Sequence, residues 1–294
     1  MQQSASAPPR FALRRWALTG AVVIGFVVAA AAVVSRPAGT ADSATAWARL
    51  ATQDVHSLAF PTPDLSTVLF GHHGGILQST DGGRQWQSLP VRQDAMGMSA
   101  ATDGSLIIAG HLVFQGSPDG GSTWAPIEAD LPSLDIHSFA RSLTDPLRMW
   151  AYLAEGGVYE SRDGGREWTR VYEGHVANLT AITSSGADVL LGVESFLGVV
   201  RSNDGGTTWT PLSDPPVAPV TSLASTPDGQ VILVGGVDGL YRSDDAGAGW
   251  KRILKSKPVL ALAIASDAST IAAVDRDTFF YRSQDGGVTW PGPA

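Results

Sequence analysis

Ser79-Thr80-Asp81-Gly82-Gly83-Arg84-Gln85-Trp86 reads Ser-x-Asp-x-Gly-x-x-Trp, and the frame returns five more times. The later copies run Ser117 to Trp124, Ser161 to Trp168, Ser202 to Trp209, Ser243 to Trp250 and Ser283 to Trp290. Their starts are 38, 44, 41, 41 and 40 residues apart. A period near 40 residues marks a propeller, solenoid or array, because one unit cannot bury its apolar face alone. Copy five departs slightly: Asp245-Ala246-Gly247 lacks the first Gly.

Working outward from the first copy, Asp54 to Phe60 alternates as a strand and Pro61 to Ser66 is a turn. Thr67 to Phe70 is an apolar strand, and Gly71-His72-His73-Gly74 a loop. Gly75 to Ser79 is a third strand, and Gln85 to Leu89, past the Asp81-Gly82-Gly83 turn, a fourth. Four short strands per period fit a propeller blade. The last copy stops at Trp290-Pro-Gly-Pro-Ala294 with little fourth strand, whereas Trp47-Ala48-Arg49-Leu50 carries the missing Trp-x-x-apolar pattern. Residues 47–52 are therefore expected to supply the outer strand of the last blade, which hides an edge and closes the ring. The expectation is an all-β, six-bladed β-propeller over 47–294, after a signal anchor or signal peptide at 1–34 and a linker at 35–46.

The octapeptide resembles the Asp box, or bacterial neuraminidase repeat, and the resemblance covers about residues 47–294. It implies a sialidase-like propeller fold. Asp81, Asp119, Asp163, Asp204, Asp245 and Asp285 would accept backbone N–H bonds in their turns. Trp86, Trp124, Trp168, Trp209, Trp250 and Trp290 would cover those turns and pack between blades. The whole is similar to small exported bacterial proteins labelled glycosyl hydrolase. Sortilin ectodomains and photosystem-assembly propellers share the box, which implies binding or assembly. A true sialidase is not expected: the family's Arg-Ile-Pro-type entry motif is absent, and Arg92, Arg141 and Arg276 share no context.

Arg10, Arg14 and Arg15 precede an apolar run from Trp16 to Val34, 19 residues long and thus long enough to span a bilayer. Positive charge on its N-terminal side retains that end in the cytoplasm and sends the rest out. An uncleaved anchor is expected, with a cleaved signal as the competitor because small residues follow. There is no Cys, which excludes disulfides, thiolate metal sites and a cysteine nucleophile. Of the net charge of −8, residues 1–46 carry +3, leaving −11 on the repeats, which hold only three Lys. Nucleic acid is therefore an unsuitable partner, and membrane contact is expected through the N-terminal segment only.

Strand direction puts all six octapeptides on one face and the starts of first strands, with the turns after second strands, on the other. Propellers, and the sialidases the repeat is named for, bind ligands on that second face. There the blades differ. Blades one to three start with Asp54-Val55-His56, Asp94-Ala95-Met96 and Asp135-Ile136-His137; blades four to six have Ala177-Asn178-Leu179, Pro219-Val220-Thr221 and Pro258-Val259-Leu260. The turn after strand two offers His72 and His73, His111 and Glu155 in blades one to three. A residue set that only folds blades would recur in all six.

Ligand-binding candidates are His56, His72, His73, Met96, His111 and His137. Imidazoles and a thioether suit a transition metal as candidate cofactor, through His56, His73, Met96, His111 and His137; no compact His-x-x-x-His motif is present. The favoured function is extracytoplasmic binding of a small ligand, glycan or protein. Glycoside hydrolysis by Asp54, Asp94, Asp135 and Glu155 is the alternative, since two carboxyls about 5–10 Å apart across a cleft would suffice. A metal-binding role is the second alternative.

Overall fold

The computed structural model describes residues 44–101, 103–213 and 217–293. The segments expected at 1–34 and 35–46 lie outside these, apart from residues 44–46. Among the described residues no helix is long and apolar enough to cross a membrane. In the described residues twenty-four strands form six antiparallel four-stranded sheets, the six blades of a propeller.

Blade one contains β2 (Ser57–Ala59), β3 (Val68–His72), β4 (Gly75–Ser79) and β5 (Gln87–Ser88) in that spatial order. Three boundaries differ from the sequence expectation, each for a local reason. The first strand starts at Ser57, not Asp54, because the Asp54 carboxylate instead receives the His73 N–H at 2.9 Å. The second continues to His72, which pairs with Gly75, so the expected loop is a tight hairpin with His73 at its tip. The fourth starts late because Asp81 Oδ1 holds the Gln85 N–H at 3.0 Å.

Second strands read as continuous apolar runs because blades cover both their faces. In β7 (Leu106–Gly110), β11 (Met149–Leu153) and β23 (Ile271–Asp275) every residue is buried. The fourth strand of blade one faces solvent at both residues of β5. First strands surround a central channel of about 330 Å³, lined in part by His56, Met96, Met98, His137 and Asn178.

Each octapeptide closes on itself. Ser79 Oγ–H donates to Asp81 Oδ1 and accepts the Gly83 N–H, both at 2.8 Å. The same pair of bonds recurs in the other five copies. Gly82 and Gly83 have φ of 81° and 106°. At Gly83 a Cβ would also stand 2.1 Å from Phe280 of the neighbouring blade, so only Gly fits. Trp86 packs edge-on against Phe280, with centroids 5.2 Å apart, and its indole N–H donates to Gly83 O. The turns between first and second strands share this face: Gly82, Gly164, Ala246 and Gly286 donate N–H bonds to Ser66, Leu147, Gln230 and Ser269.

The ring closes as expected. β1 (Ala48–Arg49) pairs antiparallel with β24 (Phe279–Ser283) and completes the sheet of blade six. Leu50 is buried among Val55, Leu58, Phe70 and Phe280, which seals blade six against blade one. Contacts reach back further, with the Thr45 N–H on Trp290 O at 3.0 Å.

Candidate functional site

On the face opposite the octapeptides, blades one to three bring their first-strand entrances against their hairpin tips. Asp54 and His73 belong to blade one, and the side chain of the first clasps the backbone of the second. Blade two repeats the device, with the His111 N–H donating to Asp94 Oδ2 at 3.1 Å. In blade three Asp135 pairs through its backbone with His111 of blade two, which links the two blades at this point. The Asp54 and Asp94 carboxylates each thereby fix a tip that carries an imidazole.

The result is an arc in which carboxylates and imidazoles interleave. His73 Nδ1 lies 2.9 Å from Asp54 Oδ2. His56 Nε2 stands 3.2 Å from His73 Nδ1, 3.7 Å from Asp54 Oδ1 and 3.6 Å from Asp94 Oδ1. Across the blade boundary, His111 Nδ1 meets Asp94 Oδ2 at 2.7 Å. Its other nitrogen, Nε2, faces Asp135 Oδ1 at 3.5 Å, and His137 Nε2 faces the same oxygen at 3.2 Å. Ring centroids step from His56 to His73, His111 and His137 at 4.3, 5.7 and 5.2 Å. Three overlapping groups of potential donor atoms each fall within 4.8 Å: Asp54, His56 and His73; His73, Asp94 and His111; His111, Asp135 and His137.

Burial is uneven along the arc. Asp94 is 6% exposed, and its Oδ1 has no hydrogen-bond partner among the described residues. His73 and His111 are open to solvent. Burial would raise the Asp54 pKa, but the His73 N–H and imidazole outweigh it and hold Asp54 below its ordinary value. The Asp54 hydrogen bond in turn raises His73 above its ordinary value. Burial pushes His56 below its own, with the His73 ring adding to the effect against the attraction of Asp94 and Asp54. Adjacent imidazoles on one arc thus titrate apart.

Of the candidates named from sequence, Asp54, His56, His73, Asp94, His111, Asp135 and His137 converge. Met96 lines the channel beside His56 and His137. His72 turns the other way: its Nδ1 accepts the Gly74 N–H, its ring stacks on Phe70, and burial lowers its pKa. Glu155 is exposed and belongs to none of the three groups. Sequence reasoning passed over the apolar tips. Leu112 is 82% exposed, Phe196 96%, Leu197 49% and Val237 47%, and all four sit in turns after second strands, on the face of the arc. The signal was present in Glu194-Ser195-Phe196-Leu197-Gly198, an aromatic in a hairpin that needs only polar residues.

No family model and no curated protein matches the chain. Solved structures do. A structure described as Ycf48 bound to D1 peptide is 21% identical over 83% of this chain and 82% of that one, with a TM-score of 0.52. The GH74 xyloglucanase from Xanthomonas campestris is 17% identical with a TM-score of 0.55; the match covers 84% of this chain but 46% of the enzyme. A chain of the nidogen/laminin complex is 11% identical with a TM-score of 0.61, over 77% of this chain and 93% of that one. At such identities the likeness is one of fold, and the chain is a β-propeller.

Proposed function

We propose that this chain is an Asp-box propeller that works outside the cytoplasm as a binding module. Its ligand or protein partner docks on the face bearing the His–Asp arc. The observation that supports this reading is the confinement of the arc to three blades of six. Blade folding alone asks for no such asymmetry, since blades four to six have Leu179, Thr221 and Leu260 where the first three carry His56, Met96 and His137. Above the raised His73 pKa the arc holds three carboxylates beside neutral imidazoles, which suits a cationic group. The exposed apolar tips around the same face suit a macromolecular partner. Peptide-bound Ycf48 and the nidogen/laminin complex are propellers of this fold engaged with partners.

The arc suits glycoside hydrolysis less well. A glycosidase needs a carboxylic acid whose pKa is raised, so that it can protonate the leaving group. Asp54 is instead held below its ordinary value, and buried Asp94 is tied to the backbone and ring of His111. The wild type is expected to leave chromogenic glycosides uncleaved.

The test is calorimetric titration with cationic probes, namely Zn2+, spermidine and a lysine-rich peptide, with N-acetylneuraminic acid as the anionic control. Binding of at least one cationic probe is expected, weakened in the Asp54→Asn, Asp135→Asn double variant. The reading fails if none binds, or if binding is the same in that variant. Outward placement is tested by protease accessibility of the propeller in intact cells; protection from protease would refute it.

A further inference from the structure

We propose that blades one and two build a three-donor site for a borderline divalent transition ion from His56 Nε2, His73 Nδ1 and the Asp54 carboxylate, with the unpartnered Asp94 Oδ1 facing it. A three-donor site of His111 Nε2, Asp135 Oδ1 and His137 Nε2 adjoins it. This deepens the binding-module reading and rests on it, since it names the cation of that same face.

Geometry is the first support. A tetrahedral ion with bonds of about 2.0–2.1 Å to nitrogen and oxygen holds its ligand atoms about 3.3 Å apart. In the first site Asp54, His56 and His73 each offer a donor atom within 4.8 Å of the other two, and His56 Nε2 stands 3.2 Å from His73 Nδ1 and 3.7 Å from Asp54 Oδ1, either side of that value. Proton bookkeeping is the second. Two imidazole nitrogens 3.2 Å apart can share one proton between them, yet His56 Nε2 also faces oxygens of Asp54 and Asp94. One shared proton leaves lone pairs opposed at close range. A cation between them accepts the donors of Asp54, His56 and His73.

Asp94 supplies the third, independent support. Its side chain is more than nine-tenths buried, and Oδ1 points at His56 from 3.6 Å, too far for a hydrogen bond. A buried carboxylate oxygen with no partner is costly and calls for one. Oδ2, by contrast, is fully used. It takes the His111 N–H and faces His111 Nδ1 at 2.7 Å. A proton on Nδ1 leaves the Nε2 lone pair aimed at Asp135 and His137, the carboxylate–histidine–metal arrangement that orients metal ligands. Asp94 therefore serves both sites, lending its unpartnered Oδ1 charge to the first and orienting the other through Oδ2. Imidazole-rich donor sets favour zinc-like ions over Ca2+ and Mg2+, which take oxygen ligands, and the chain has no thiolate to recruit softer ions.

The experiment is calorimetric titration of chelator-washed protein with Zn2+, with Co2+ as an absorption reporter of coordination geometry. Two equivalents are expected to bind, the tighter giving a tetrahedral Co2+ spectrum. Asp94→Asn, isosteric and therefore the variant least prone to misfold, is expected to weaken the tighter site about 10–100-fold and the other about 10-fold. His137→Ala removes only the weaker equivalent, and His72→Ala changes neither. Thermal melts in chelator establish that each variant is folded. The proposal is overturned if no Zn2+ binds at micromolar concentration. It is equally overturned if His72→Ala matters as much as Asp94→Asn, which would mark adventitious histidine binding. Spermidine or lysine-peptide binding without Zn2+ binding would sink the metal site and leave the binding-module reading standing; no binding of any cationic probe would sink both.

Discussion

Replacing Leu50 by Ala tests whether the N-terminal strand closes the ring. Leu50 is 3% exposed and stands among Val55, Leu58, Phe70 and Phe280, between the last blade and the first. Its N–H donates to Thr278 O and its carbonyl accepts the Thr278 hydroxyl, both at 2.9 Å. The substitution keeps those backbone bonds and empties the pocket. Buried Leu→Ala changes cost about 2–5 kcal/mol, through lost transfer energy and the cavity left behind. For a domain of this size each kcal/mol moves Tm by about 2–4 °C. A loss of about 3 kcal/mol therefore lowers Tm by about 6–12 °C in differential scanning calorimetry. Leu233→Ala, in the fully buried second strand β19 (Ile232–Gly236) of blade five, is the matched control and should cost the same. What separates the two is hydrogen exchange: the Leu50 variant should lose protection first at 45–50 and 278–281, the Leu233 variant within its own blade. An unchanged Tm, or identical exchange patterns in the two variants, would refute closure by this strand.

Three further outcomes follow from the octapeptides. Ala246 holds φ at 56°, where its counterparts are Gly, so Ala246→Gly should relieve strain and raise stability by up to about 1 kcal/mol in urea unfolding. Ser79→Ala deprives the Gly83 N–H of its acceptor inside the protein and should cost about 1–3 kcal/mol by the same assay. The six octapeptide aspartates are all held below their ordinary pKa. The N–H four residues on leads at Asp81, Asp119 and Asp163, and side-chain hydroxyls lead at Asp204 and Asp245. At Asp285 burial opposes the shift and the Thr289 donors outweigh it. A depressed folded-state pKa stabilises above the unfolded value of about 3.9 and is lost as pH falls through the folded one. Through these aspartates the urea midpoint should drop between pH 4 and 2; a midpoint unchanged at pH 2.5 would contradict this.

The architecture was legible because the octapeptide is local chemistry. Ser79, Asp81, Gly83 and Trp86 bond to one another within eight residues, so spacing alone specifies the turn. Closure was legible from Trp47 to Leu50, since a missing strand at one end matched a spare one at the other. The site was legible as a list and not as a geometry. Sequence placed His72 and His73 together, yet neighbours on an extended chain point to opposite sides. His73 reaches the arc and His72 lies back on Phe70. Glu155 holds the right offset but its hairpin in blade three is longer than the one that carries His73, and the carboxylate is exposed. The double duty of Asp94 depends on two blades meeting, which no single repeat encodes.

Closure by β1 also sets the order in which the molecule can be finished. Residues 45–50 are made before any blade, and their partners, Thr278 to Trp290, only after blades one to five. Until then the clasp strand has no ladder to join, while blades one to five hold all four of their strands and can form in sequence. The final step joins segments more than 200 residues apart, and its loop-closure entropy is offset only when blade six is complete. A chain cut short before Phe279 would therefore carry two open sheet edges, those of blade six and of its waiting clasp, and both invite pairing with other chains.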